Sequence, residues 1–236
     1  MASVGASQPG PLGHLAHIDS RERALERRIV VTGTFAAISA AAVQTTCHLL
    51  NAFVLDDRYR ALEADAQGNV FDWVSAMAIA AAASTAIACA VPHARRLTYG
   101  LSGALLAYLS VDELAGFHER LGTAIAPHLP GPLSGLGDRV TPLIYLPLIG
   151  TVFVLLWVVA ARGTAGAGLL RWGLGLLTGA ILIRLAAAGV KLAGDQVSGP
   201  ARDVGAALDQ AFQLAAWLLV AAGLAARLPA LRVHNE

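Results

Sequence analysis

Six stretches of this chain, at about 29–55, 72–92, 97–118, 140–161, 169–192 and 205–227, are each long and apolar enough to cross a bilayer. Crossing roughly 30 Å of hydrocarbon takes about 20 mostly apolar residues in helical form, because lipid leaves backbone N–H and C=O groups only intrahelical partners. The runs are rich in Ala and Leu and lack the alternation of a membrane barrel strand, so helices are expected. Composition agrees, with 56% hydrophobic and only 14% charged residues, against about a quarter charged in a soluble domain. These figures speak against a disordered chain, a disulfide-stapled secreted domain and a basic nucleic-acid surface, so membrane lipids and no nucleic acid are the expected surroundings. The expected fold is all-α: a polytopic membrane protein built as a six-transmembrane-helix bundle with both termini cytoplasmic. Residues 1–28 form a cytoplasmic N-terminal tail ending in a juxtamembrane basic segment, 29–228 the transmembrane domain and 229–236 a C-terminal tail.

Orientation rests on Lys and Arg, which concentrate on the cytoplasmic side. With the N-terminus inside, ten of them (Arg21, Arg23, Arg27, Arg28, Arg95, Arg96, Arg162, Arg171, Arg227, Arg232) fall inside and six (Arg58, Arg60, Arg120, Arg139, Lys191, Arg202) outside. The loop after the first span is acidic, with Asp56, Asp57, Glu63 and Asp65. The first 28 residues lack an apolar core and do not read as a cleavable signal peptide. Pro127, Pro130, Pro132 and Pro142 predict an irregular loop between the third and fourth spans. Cys47 and Cys89 differ in depth by on the order of 14 Å, which is too far for a disulfide.

Each ionisable group inside a span costs roughly 2.5–3.5 kcal/mol on insertion scales, so its position carries information. Orientation places these groups on one side. Gln44, His48 and Asn51 share a stripe in the outer half of the first span, and Asp112 and Glu119 share one with Tyr108 in the third. Arg184, Lys191 and Asp195 form a stripe in the fifth span, and Asp209 and Gln213 one in the sixth. Stripes of this kind turn away from lipid. They predict a water-accessible pocket in the outer leaflet, with Gln44, Asn51, Arg184, Lys191, Asp195 and Gln213 as its ligand- or proton-handling lining.

The densest element is Asp112-Glu113-Leu114-Ala115-Gly116-Phe117-His118-Glu119-Arg120. Carboxylates and an imidazole suit two chemistries: ligation of a divalent cation, and proton transfer near neutral pH. His48, Asp112, His118 and Asp209 are the candidate ligands for zinc, iron or manganese, and Glu113 or Glu119 the general acid or base. One geometric obstacle stands. On a continuous helix His118 points about 120° away from both Asp112 and Glu119, so convergence requires the helix to loosen after Gly116.

Ser110-Val111-Asp112-Glu113 and His118-Glu119-Arg120-Leu121 resemble the D-E-x4-H-E helix end of a group of uncharacterised bacterial multi-span membrane proteins. The resemblance implies a bacterial inner-membrane location and a functional site, without specifying an activity. It also implies an acidic pair opening the last span, where this chain has Asp209-Gln210 and only one acid.

Lys191 is the single lysine. It could supply an amine to chemistry, but the expected role is an ion pair with Asp195 one turn on. Gly175 and Gly179 have the spacing of a close-packing helix face and are the candidate homodimer contact. Three functions fit: a metal-dependent membrane-embedded enzyme acting on a lipid or amphiphile, a proton- or cation-coupled transporter or channel, and a non-catalytic assembly component. The polar-poor inner halves of the spans favour a pocket over a conduit.

Overall fold

A computed structural model describes residues 11–63, 68–91, 96–131, 141–161, 166–192 and 199–228. These residues are helical nearly throughout, in the order α1 (Pro11–Val54), α2 (Val70–Ala90), α3 (Arg96–Ala115), α4 (Phe117–Ile125), α5 (Thr141–Ala160), α6 (Ala167–Leu192) and α7 (Pro200–Ala225). Four of them are long and apolar enough to cross a membrane: α1 over Ser20–Val54, α2, α6 over Ala167–Ala187, and α7. In α5 the apolar helix Tyr145–Ala160 is shorter. In α3, Thr98, Tyr99, Ser102 and Tyr108 dilute the hydropathy of a 20-residue helix.

Two sequence boundaries move. The helix that carries the first apolar run already begins at Pro11, so residues 11–28 are helical and continuous with that run. The third apolar run is not one helix to 118. It stops at Ala115, and Gly116 adopts a left-handed φ of 61° before α4 starts at Phe117. Glycine takes that conformation without the Cβ clash that opposes it in other residues.

Neighbouring helices are held by small side chains. Without water to drive apolar burial, close van der Waals approach carries much of the association in lipid. A Cβ on Gly33 of α1 would collide with Ala222 of α7. Ala82, Ala83 and Ala86 of α2 are nearly fully buried, in a core containing Leu106, Leu156, Leu170, Leu214 and Leu224.

Pairwise contacts set the directions. Ser110 Oγ donates to Ala76 O (2.8 Å), so α3 runs against α2. Cys89 Sγ reaches Leu224 O (3.6 Å) near the last turns of α2 and α7, which run together. Arg184 meets Asp209, and Gly179 lies against Phe212, so α6 runs against α7. Tyr108 meets Tyr145, joining the end of α3 to the start of α5. The C-terminal ends of α1, α3 and α6 therefore share one end of the bundle with the N-terminal ends of α2, α5 and α7.

The opposite end is tied by arginine. Arg227, buried at 6% exposure, donates to Val159 O (2.9 Å) and Tyr99 Oη (3.3 Å), and Arg171 donates to Ala160 O (3.3 Å). Both guanidinium groups meet the C-terminus of α5, where unpaired carbonyls favour a cation. Cys47 and Cys89 are free thiols.

Candidate functional site

The break at Gly116 removes the geometric obstacle in the motif. After it the chain turns back, and the His118 backbone N–H donates to Asp112 Oδ1 (3.0 Å) while the His118 ring Nδ1 lies 2.7 Å from Asp112 Oδ2. An ionised carboxylate only accepts hydrogen bonds, so with Asp112 ionised the ring donates through Nδ1 and turns Nε2 away from the carboxylate. Asp112 is buried and the His118 side chain is 19% exposed.

Two tyrosines complete the arrangement, and the sequence reading assigned a site role to neither. Tyr145 Oη donates to Asp112 Oδ1 (3.3 Å), and Tyr108 and Tyr145 hydroxyls are 2.7 Å apart. Since Tyr145 gives its proton to Asp112, Tyr108 is the donor to Tyr145. The Tyr145 and His118 rings also touch, with centroids 5.5 Å apart and planes tilted by 59°. Tyr108 was visible on the Asp112 stripe, but Tyr145 comes from another helix that nothing local links to the motif. Its place in an apolar run at a span end also suits an interfacial anchor.

Around this pair stand further charges. Glu113 lies within electrostatic range of Arg184, Asp72, His118 and Asp112. Arg184 Nε donates to Asp209 Oδ2 at 2.8 Å, with the two side chains 41% and 13% exposed. Arg184 is also within range of Glu119. Asp72, in the first turn of α2, accepts from Gly68 N (2.8 Å) while its own N–H donates to the capping Asn69 Oδ1 (2.8 Å). These charged groups gather at one end of the bundle, on α2, α3, α4, α6 and α7.

The stripe on α1 does something else. His48 is 2% exposed, with Nδ1 3.2 Å from Leu62 O and Nε2 3.1 Å from Asp203 O. Asn51 Oδ1 accepts from Tyr59 N (3.0 Å), and Asn69 Nδ2 donates to Glu63 O (3.0 Å). These three buried side chains lace the loop after α1, with its turn of 3-10 helix Arg60–Leu62, to α1, α2 and α7. The signal in the sequence was the same either way, because a polar stripe that avoids lipid satisfies either a ligand or a loop backbone.

Of the four candidate metal ligands, Asp112 and His118 are brought together, already bonded to each other. His48 faces two carbonyl oxygens and Asp209 faces Arg184. Among the described residues no three His, Cys, Asp or Glu side chains form a group fit to hold a metal ion. Gln44 and Gln213 are buried. Lys191 lies in the last turn of α6, and Asp195 falls outside the described residues. Gly175 and Gly179 are used differently: a Cβ on Gly179 would lie 3.0 Å from Phe212 of α7 in the same chain, whereas one on Gly175 meets nothing within 4 Å.

Residues 27–228 match the model of a protein family described as a domain of unknown function (DUF8692). No curated protein and no solved structure matches the chain.

Proposed function

The chain belongs to this DUF8692 family, and we propose that it is a membrane-embedded acid–base enzyme acting on a lipid or other amphiphile. The observation that carries the reading is the return of His118 onto Asp112 across the Gly116 break. A carboxylate that holds Nδ1 orients the ring and stabilises the imidazolium formed when Nε2 takes a proton, which is the role a buried acid plays beside a catalytic histidine. Glu113 or Glu119, on the two helices that flank the break, is the second acid or base.

In this reading the bundle spans the bacterial inner membrane six times, through α1, α2, α3, α5, α6 and α7. The count of ten basic residues against six supports both termini in the cytoplasm. The Asp112–His118 end then lies at the outer leaflet, at a depth an amphiphile's head can reach. Trp73 and Trp172 support the placement. Each is an exposed ring near one end of a helix, as in an interfacial belt.

A divalent metal is given no step. A catalytic zinc site uses three protein ligands, and the described residues offer one imidazole and one carboxylate already paired. Transport would use the same groups as a relay, and the Tyr108–Tyr145–Asp112–His118 chain of hydrogen bonds is the observation that favours it.

The test compares total lipid extracts from cells producing the wild type, His118→Gln and Asp112→Asn at matched membrane levels. The expected result is a lipid class consumed or formed by the wild type alone. Identical extracts, together with proteoliposome proton flux abolished by Asp112→Asn, would replace the enzyme with a transporter. Identical extracts and no flux would leave an assembly role.

A further inference from the structure

Five of the long helices close into a ring. α2 packs on α3, α3 on α5, α5 on α6, α6 on α7 and α7 on α2. α1 stands outside it, packed on α7 through the separate cluster of Ala37, Leu169 and Leu219. The main core comes from the ring helices, with Ala82, Leu106, Leu156, Leu174, Trp217 and Val220 among its buried residues. Two turns along, toward the His118 end, the same inward faces carry polar groups. Ser75 lies seven residues from Ala82, Glu113 from Leu106, Gln210 from Trp217 and Gln213 from Val220. Arg184 stands the same distance from Leu177, which packs against that core.

Contacts between the helices put these inward groups at one level. Ser110 Oγ on Ala76 O, across antiparallel helices, sets Glu113 within a turn of Ser75. Cys89 on Leu224, across parallel helices, sets Ser75 level with Gln210, and Gln213 one turn deeper. Arg184 on Asp209 brings α6 to the same level. Gln44 and Asn51 belong to α1, outside the ring, and take no part in this layer.

Around the layer one carboxylate is left uncompensated. Asp112 holds His118 and Tyr145, Asp209 holds Arg184, and Asp72 accepts from Gly68 N. Glu119 sits in the first turn of α4, where the helix dipole favours an acid. Glu113, half-buried, makes no hydrogen bond or ion pair with a described residue and meets only longer-range charges, Arg184 first, then Asp72, His118 and Asp112. Beside it Ser75 is 0% and Gln213 9% exposed, and Ser75 Oγ and Gln213 Nε2 are buried without a hydrogen-bond partner. Buried polar atoms stay in that condition only rarely. Charge selects what would meet them. Arg184 is already held by Asp209, so the surplus of Asp72, Asp112 and Glu113 repels an anion and draws in a cation. An ammonium donates three hydrogen bonds, and the Glu113 carboxylate, Ser75 Oγ and a turned-over Gln213 amide can accept them.

Resting on the enzyme reading above, we infer that the inward layer of Ser75, Glu113 and Gln213 binds the ammonium group of a cationic amphiphile, whose apolar chain stays in the bilayer. Glu113 stands in the last turn of α3, the depth of an outer-leaflet headgroup in the orientation proposed. It anchors the head, and Glu119, on the same helix as His118, is left to move protons.

Thermal unfolding of the full chain in dodecyl maltoside micelles tests this without turnover. The probes are stearylamine, stearyl alcohol, stearyl phosphate and methylammonium chloride. Stearylamine is expected to raise the midpoint by about 5 °C, and the other three to leave it within about 1 °C. Glu113→Gln keeps the side-chain volume and should remove the rise, and Ser75→Ala should reduce it; if Glu113→Gln does not fold, Ser75→Ala decides. Glu119→Gln should keep the rise, so an equal loss there would mean a diffuse acidic surface and overturn the proposal. An equal rise with stearyl alcohol or stearyl phosphate overturns it too. A full rise with methylammonium makes the ligand a free cation and overturns the assignment to an amphiphile. No rise with stearylamine, or one that survives Glu113→Gln, ends the inference. His118→Gln should also keep the rise. An intact rise beside unchanged lipid extracts removes the acid–base reading and leaves the cation site standing; a lipid change without any rise does the reverse.

Discussion

At the scale of single residues, Gly116 decides more than any charged group. Asp112 and His118 are six positions apart, a spacing that a continuous helix turns to different faces. The left-handed φ of 61° at Gly116 ends α3 one turn past Asp112 and lets the next peptide fold its N–H back onto the carboxylate. A side chain at this φ costs roughly 1–2 kcal/mol in an ordinary L-residue, and less in Asn. Gly116→Ala is therefore expected to lower stability by about that amount and to abolish the wild-type lipid change, whereas Gly116→Asn retains part of both. Detergent thermal melts alongside lipid extracts check this; full activity in Gly116→Ala would show that the paired geometry is dispensable. The D-E-x4-H-E spacing was legible in the sequence, and so was the choice it forces: a break after Gly116, or a His118 that serves another face or the surface. The hand and sharpness of the break were not, because they depend on one backbone dihedral.

At the scale of elements, the polar stripe of α1 shows how one pattern serves two ends. His48 and Asn51 share a face with Gln44, as helical spacing required, yet they bind the backbone of the loop that follows. Loop carbonyls have no sequence signature, so periodicity could place these side chains inward without naming their partners. His48→Ala removes the ring that stands between the carbonyls of Leu62 and Asp203 and the one N–H that a neutral imidazole donates to them. The expected loss is about 1–3 kcal/mol, with no change in lipid turnover per folded molecule. Arg58 and Arg60, both exposed in that loop, make the change measurable: trypsin added from the loop's side should cut the variant faster than the wild type. Equal cutting would mean that the loop is held elsewhere. Asn69 works in the same buckle from the other side, capping α2 while holding Glu63 O.

At the scale of the whole molecule, the bundle has two unlike ends. One carries the carboxylates, His118, Arg184 and the tyrosine pair; the other is closed by Arg227 and Arg171 on the last carbonyls of α5. Both arginines fall in the set that the charge rule would place in the cytoplasm, so the proposed orientation puts this end inside. In a background lacking Cys47 and Cys89, Asp57→Cys is expected to react with an impermeant maleimide in intact cells, and Val91→Cys only after permeabilisation. The reverse pattern would invert the protein and put the His118 end in the cytoplasm.

Much of the architecture follows from local chemistry alone. Long apolar runs must be helical in lipid, whatever they pack against, and intramembrane charge must turn inward. The all-α class and the one-sided gathering of polar residues were therefore readable from spacing. Which groups meet was not. Asp112 with Tyr145, Arg184 with Asp209 and His48 with Asp203 each join helices distant in sequence. Their pairing depends on helix register, which is set by close contacts such as Gly33 on Ala222 and Ser110 on Ala76. Periodicity fixes the face a side chain occupies, but only three-dimensional packing fixes what stands across from it.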